Sequence, residues 1–292
     1  MKSNHEGASG GSACEATKCA SWTQIQHSVA PEINARIDNR LYDEVGDSWW
    51  RADSLLYQLK ASLNPVRLAY AQRKLFDELR LEPRGKRALE VGCGGGLVCE
   101  EIARLGFEVT GIDPSEPSLA AATLHAQSSG LAIRYERGFG ECLPYQEGSF
   151  DVVFCFDVLE HVRDLPQVIR EVARVLKPGG VFCYDTLNRT WLSYLVAIKI
   201  GQEWPRWAFL PPNLHVWEMF IKPRELKVLL AKNQLDWKDH RGLKPNVSVP
   251  TALRILRRRA AGECSYAELG ERIQLVESRL QAVLYLGHAV RV

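Results

Sequence analysis

Between residues 86 and 187, short apolar runs alternate with stretches whose apolar positions recur at helical spacing. This rhythm builds a parallel sheet with helices packed on both faces. The runs "RALEVG", "FEVTGID", "AIRYERG", "FDVVFCF" and "GVFCYDTL" predict five strands, because parallel strands buried on both faces read as continuous apolar segments. Between them "LVCEEIARLG", "PSLAAATLHAQSSG" and "LPQVIREVARVLKPGG" predict helices that close on glycine. The expected class is α/β.

Residues 21–85 predict a helical cover that closes over the site, with Trp49 and Trp50 as an aromatic patch and a break at Asn64-Pro65. An aromatic lid is expected over 190–220, then a helix from near Pro223. "LDWKDHRGLK" and "AVLYLGHAVRV" predict a late strand pair, with a two-helix insertion at 251–281 between them. The α/β body is placed at 86–292. Residues 1–20 lack the apolar core of a signal peptide and the arginine-rich pattern of a transit peptide, and are expected to form a disordered tail.

Composition changes this picture little. The 292 residues are 46% hydrophobic and 25% charged, ordinary values for a globular chain. A net charge of +2 argues against a nucleic-acid partner. No apolar run reaches the roughly 18 residues of a membrane span, so a soluble, cytoplasmic protein, at most peripheral to a membrane, is expected. The eight cysteines are scattered, several inside apolar runs, as buried thiols in a reducing compartment are. Cys14 and Cys19 lack a second Cys or His pair beside them, so a metal site there is not expected.

The first candidate chemistry is "EVGCGGG". Gly92, Gly94 and Gly96 stand between a predicted strand and a predicted helix, and Asp113 ends the next strand. A turn without side chains lets backbone N–H groups and a helix N-terminus approach a ligand, and a carboxylate one strand on can accept from two ribose hydroxyls. Glu90, just before the turn, would repel a pyrophosphate but can accept from an ammonium group. The sixth-position glycine of the dinucleotide fingerprint and the P-loop "GK[ST]" are both missing. This points to S-adenosyl-L-methionine rather than a dinucleotide.

With these residues in place, the sequence resembles the class I S-adenosylmethionine-dependent methyltransferases, and more narrowly the ubiquinone-biosynthesis O-methyltransferases. The matching blocks are "WW" and "NPVRLAY", "EVGCGGG", "VTGIDPSEPSLAAATLHA", "DVVFCFDVLEHV", "LKPGG" with "TLNRT", and "FIKPREL". The resemblance implies a Rossmann-like, mostly parallel seven-stranded sheet and methylation of a hydroxylated aromatic or quinol-like acceptor. It places cofactor contacts at Arg67, Glu90, Gly92, Gly94, Asp113 and Phe156, with Arg67 opposite the cofactor carboxylate. Phe139 departs from the pattern, since the resemblance favours an acid there.

"FDVLEH" leaves two readings open. If a helical turn follows the fourth strand, Asp157, Glu160 and His161 stand at i, i+3 and i+4 on one face. In the resembling family such a triad, usually Glu, Glu and His, is implicated in binding a divalent cation such as Mg²⁺, which lowers the pKa of a catechol hydroxyl. Here Asp replaces the first Glu. In the other reading His161 acts without a metal, as the base that takes the acceptor's proton. His215 in "PPNLHVWEMF" is expected to be structural.

The segment "TWLSYLVAIKIGQEWPRWAFLPPNLHVW" holds four of the eight tryptophans, interleaved with Lys199 and Arg206. It predicts either peripheral membrane contact through 191–210 or a lid over a soluble aromatic acceptor. Two further readings are an N- or C-methyltransferase of a specialised metabolite, and a binding protein that keeps the fold without turnover.

Overall fold

Eight strands form one sheet in the order β3-β2-β1-β4-β5-β8-β6-β7. They are β1 Arg87–Val91, β2 Glu108–Asp113, β3 Ile133–Arg137, β4 Phe150–Cys155, β5 Leu176–Leu187, β6 Leu235–Pro245, β7 Leu275–Ser278 and β8 Leu284–Arg291. The computed structural model describes residues 31–292. The expected tail at 1–20, with Cys14 and Cys19, lies outside the described residues.

β1 to β5 pair in parallel, and β8 runs antiparallel between β5 and β6. All five strands predicted from apolar runs are present, and so is the late pair, with Leu235 opposite Arg291 and Leu243 opposite Leu284. The sheet has one strand more than the expected seven. β7 pairs antiparallel with β6 at the open edge. It comes from the end of the expected helical insertion, which forms helices at Val249–Ala260 and Tyr266–Arg272 and then extends.

Both faces of the central strands are buried. Leu89, Val91, Val153 and Cys155 pack on one side with the Leu165–Val175 helix, and Ala88, Val152 and Phe154 pack on the other with the Leu97–Arg104 helix. This double burial is why β1 and β4 read as unbroken apolar runs.

Pro65 does not break its helix. Helical residues continue from Tyr57 through Glu78, with a π-helical segment at Leu59–Leu63, and the Asn64 N–H donates to the Leu59 carbonyl. Proline lacks an N–H and crowds the preceding turn, and the wider π turn accommodates both. The helix thereby carries Arg67 beneath the ends of the parallel strands.

Candidate active site

The carboxyl ends of β1, β2 and β4 open into a cleft of about 620 Å³, roofed by the N-terminal segment. Its lining includes Glu90, Gly92, Gly94, Asp113, Phe139, Phe156, Asp157, His161 and Arg67.

The glycine turn is shaped for close approach. Gly92 has φ +71°, and a Cβ there would lie 2.3 Å from Val158 Cγ2, so a side chain is excluded by conformation and by space. The Gly94 N–H donates to Asp113 Oδ2 at 2.8 Å, and the Ser115 N–H donates to Oδ1 at 2.9 Å. Each carboxylate oxygen keeps a second lone-pair direction, so Asp113 is fixed in orientation yet can still accept from a diol. Burial pushes its carboxyl up to about 6, against those two N–H bonds. Glu90 is buried at the end of β1, and its Oε2 has no hydrogen-bond partner in the protein. Desolvation pushes it up to about 8.

The tryptophan pair belongs to this turn. Trp49 Nε1 donates to Ser118 Oγ at 2.9 Å, and Trp50 Nε1 donates to the Gly95 carbonyl at 2.9 Å. Trp50 also stacks flat on His125, with centroids 3.4 Å apart. The N-terminal segment is thus locked onto the cofactor-type turn by directed bonds, which the sequence showed only as an aromatic patch.

The residues after β4 do not form the expected helical turn. Asp157 adopts φ +54°, a left-handed conformation, and Leu159 to His161 follow as a hydrogen-bonded turn closed by His161 N–H to the Val158 carbonyl at 2.8 Å. The i, i+3, i+4 geometry is lost. Asp157 Oδ2 ion-pairs with Arg67 Nη2 at 2.5 Å. Glu160 is buried and accepts from Thr186 Oγ1 on β5 at 2.8 Å, and His161 Nδ1 lies 3.2 Å from Asn39 Oδ1. Asp157 faces Arg67, Glu160 Oε2 faces Thr186 and His161 Nδ1 faces Asn39, so the three side chains are not gathered as the near-octahedral oxygen set that Mg²⁺ needs. Among the described residues no group of three or more His, Cys, Asp or Glu side chains could hold a metal ion. The expected metal set Asp157, Glu160 and His161 is corrected accordingly.

Arg67 is also committed. Its Nε meets Asp185 Oδ2 at 2.5 Å, its Nη1 donates to Asn64 Oδ1 at 3.1 Å, and its guanidinium lies 5.4 Å from the Phe156 ring. With two carboxylates against one guanidinium, little positive field is left for a cofactor carboxylate. Asp185, which sequence reasoning missed, also accepts from the Asp157 N–H at 2.7 Å. It therefore holds both Arg67 and the left-handed residue of the turn.

Among the described residues His161 is the one imidazole in the cleft lining. Burial and the neighbouring His215 hold it well below the usual imidazole range, so the ring is neutral at pH 7. His215 lies behind His161, outside the cleft lining. Its ring lies 5.2 Å from that of His161, its Nδ1 is buried without a partner, and burial lowers it to about 4.

The methyltransferase-domain family model matches residues 89–184, the stretch that carries the sheet side of this cleft. A ubiquinone biosynthesis O-methyltransferase of Methylocella silvestris is 40% identical over 228 residues, covering 74% of this chain and 86% of the relative. Its counterpart in Hahella chejuensis is 42% identical over 206 residues, covering 70% and 83%. Among solved structures, an S-adenosylmethionine-dependent methyltransferase from Thermotoga maritima superposes with a TM-score of 0.56 at 16% identity, covering 87% of this chain and 99% of that one. At that identity the likeness speaks for the fold. The identity to the curated relatives, over more than four fifths of their length, decides the family: this chain is an S-adenosylmethionine-dependent O-methyltransferase and belongs to the ubiquinone biosynthesis O-methyltransferase family.

Proposed function

We propose that the chain methylates a hydroxyl of a hydroxylated aromatic or quinol-like small molecule, one that carries a prenyl tail, with His161 as the base. The observation that carries this reading is the imidazole of His161 in the lining of the same cleft as Glu90, Gly92 and Asp113. S-Adenosylmethionine supplies an electrophilic methyl group, so the protein's task is to align the acceptor oxygen and remove its proton. The acceptor's O–H bond breaks with the proton passing to His161, the oxygen–methyl bond forms, and the sulfur–methyl bond breaks with its electrons returning to sulfur. Incubating purified protein with S-adenosylmethionine and a panel of catechols, phenols and prenylated quinols should give O-methylated product from the dihydroxy rings. Product formed only from amines or carbon acids would overturn the assignment.

Within the cofactor half, Glu90 takes the ammonium group, Gly92 and Gly94 present backbone, Asp113 takes the ribose hydroxyls, and Phe156 gives apolar contact. Arg67 holds the wall through Asp157 and Asp185 rather than meeting the cofactor carboxylate. Calorimetry with S-adenosylhomocysteine tests two parts of this assignment. Asp113→Ala should weaken binding by about 2–3 kcal/mol, the scale of lost bonds to a charged group. Glu90, pushed up to about 8, is protonated at pH 7 in the free protein. An ammonium beside it favours the carboxylate, so binding at pH 7 should release a proton, seen as a heat that varies with the buffer's ionisation enthalpy. Unchanged affinity in Asp113→Ala, or a buffer-independent heat, would remove the respective residue from the cofactor contacts.

A prenylated acceptor would have to be reached at a lipid surface. Trp191 is 74% exposed, and Tyr194 and Trp204 are exposed on the same segment. No described helix is long and apolar enough to cross a membrane, so contact would be peripheral, with aromatic side chains at the headgroup level. The protein should co-sediment with phosphatidylglycerol-containing vesicles, and Trp191→Ala with Trp204→Ala should abolish this. Absence of sedimentation by the unaltered protein would favour a lid over a water-soluble phenol.

A further inference from the structure

A base needs the right ring nitrogen free, and neutral imidazole offers only one acceptor at a time. In His161 the choice is made from outside the sheet, by Asn39. Its Oδ1 lies 3.2 Å from His161 Nδ1, and its Nδ2 faces the backbone carbonyl of the same histidine at 3.5 Å. The amide cannot be reversed without cost, because its oxygen would then face that carbonyl, two acceptors with no hydrogen between them. The carbonyl thus fixes the amide, and the amide fixes the ring. An amide oxygen only accepts, so Nδ1 carries the hydrogen and Nε2 keeps its lone pair.

The segment bearing Asn39 is itself tied down by two bonds from residues just before it. Asn34 Nδ2 donates to the Arg163 carbonyl at 3.2 Å, and the Asp38 N–H donates to the Asn213 carbonyl at 2.9 Å. The imidazole is also held by rings. Tyr42, from the N-terminal segment, meets it edge-on at 5.9 Å, and His215, from the aromatic segment, lies 5.2 Å away. Of the carboxylates of its own turn, Asp157 pairs with Arg67 and Glu160 Oε2 accepts from Thr186, and the ring's hydrogen bond is made to Asn39.

We propose that Asn39 is a positioning residue for methyl transfer, holding His161 in the Nδ1–H tautomer so that Nε2 is the atom that takes the acceptor's proton. The proposal rests on the reading of His161 as the base. It makes the N-terminal segment part of the reaction machinery through one amide and not only a cover.

The test is ¹⁵N NMR of histidine-labelled protein, with the His161 ring signals identified by their loss in His161→Gln, read together with steady-state kinetics. Unaltered protein should show Nδ1 protonated and Nε2 bare. Asn39→Ala should move the ring towards the Nε2–H tautomer that free histidine favours. It should also lower kcat about tenfold to a hundredfold, as loss of tautomer control does in acid–base catalysis, with the KM for S-adenosylmethionine within about twofold. Asn39→Asp keeps an acceptor oxygen for Nδ1 but turns its second oxygen towards the His161 carbonyl, so it should restore the tautomer and only part of the rate. An Nε2–H ring in the unaltered protein, or an unchanged tautomer and kcat in Asn39→Ala alongside an inactive His161→Ala, would overturn the proposal alone. Full activity in His161→Ala would overturn the base reading beneath it, whatever the ring signals show.

Discussion

Replacing His161 with alanine is expected to lower kcat on the order of 10²–10⁴-fold, the usual contribution of a positioned general base, while S-adenosylhomocysteine binds as tightly as before. The asymmetry follows from geometry. The cofactor-type contacts come from Glu90, the glycine turn and Asp113 at the ends of β1 and β2, whereas His161 reaches the cleft from the turn after β4 and is held by Asn39, Tyr42 and His215. A metal-assisted transfer would behave differently, because stripping the metal would then silence the unaltered enzyme. Asp157 is bound to Arg67 and Glu160 to Thr186, so activity is expected to persist in excess chelator, and Glu160→Gln to leave the rate's response to added Mg²⁺ flat. Loss of activity on chelation with recovery on Mg²⁺ would reinstate the carboxylates as ligands and demand a rearranged turn. A fall in S-adenosylhomocysteine affinity equal to the fall in kcat for His161→Ala would mean that the histidine supports binding rather than proton transfer.

The sheet was legible because its physics is local. A strand buried on both faces must be apolar at every position, and "FDVVFCF" or "RALEV" announces that without reference to the rest of the chain. The glycine turn was legible for a similar reason, since Gly92 occupies a conformation and a space that other residues cannot. The turn after β4 was misread because spacing alone assumes helical dihedrals, and Asp157 at φ +54° breaks the periodicity with a single residue. β7 escaped notice because "LVES" is four residues long and follows two helices, so its edge pairing with β6 is decided by tertiary contact. Asn39 was illegible for a deeper reason. It is an asparagine in an unremarkable polar stretch, 122 residues from the histidine it orients, and nothing local distinguishes it from a turn residue. Asp185 did leave a trace that went unused. A lone carboxylate inside the apolar run "GVFCYDTL" must have a partner when buried, and that partner is Arg67.

Removing Asp185 should therefore cost more than any surface carboxylate would. It is 0% exposed, accepts from Arg67 Nε at 2.5 Å and from the Asp157 N–H at 2.7 Å, and is the link between β5, the Arg67 helix and the turn that carries His161. In Asp185→Ala the guanidinium of Arg67, itself 2% exposed, keeps only Asp157 and Asn64. Arg67 stays paired with Asp157, but two hydrogen bonds to a charged carboxylate are lost and the buried Asp157 N–H is left without its acceptor, so the expected loss is about 3–5 kcal/mol of folding free energy. Asp185→Asn separates the two contributions. Its amide oxygen can still accept from the Asp157 N–H or from Arg67 while the negative charge is lost, so it should destabilise by less, about 1–3 kcal/mol. Urea unfolding with both variants reads the difference, provided the slope of the transition is unchanged. Wherever the alanine variant remains folded, the freed N–H of Asp157 should also relax its left-handed turn and weaken S-adenosylhomocysteine binding through Phe156. An alanine variant with an unaltered unfolding midpoint, or an asparagine variant as costly as alanine, would show that Arg67 finds its compensation elsewhere and that the turn is set by packing instead of by this buried carboxylate.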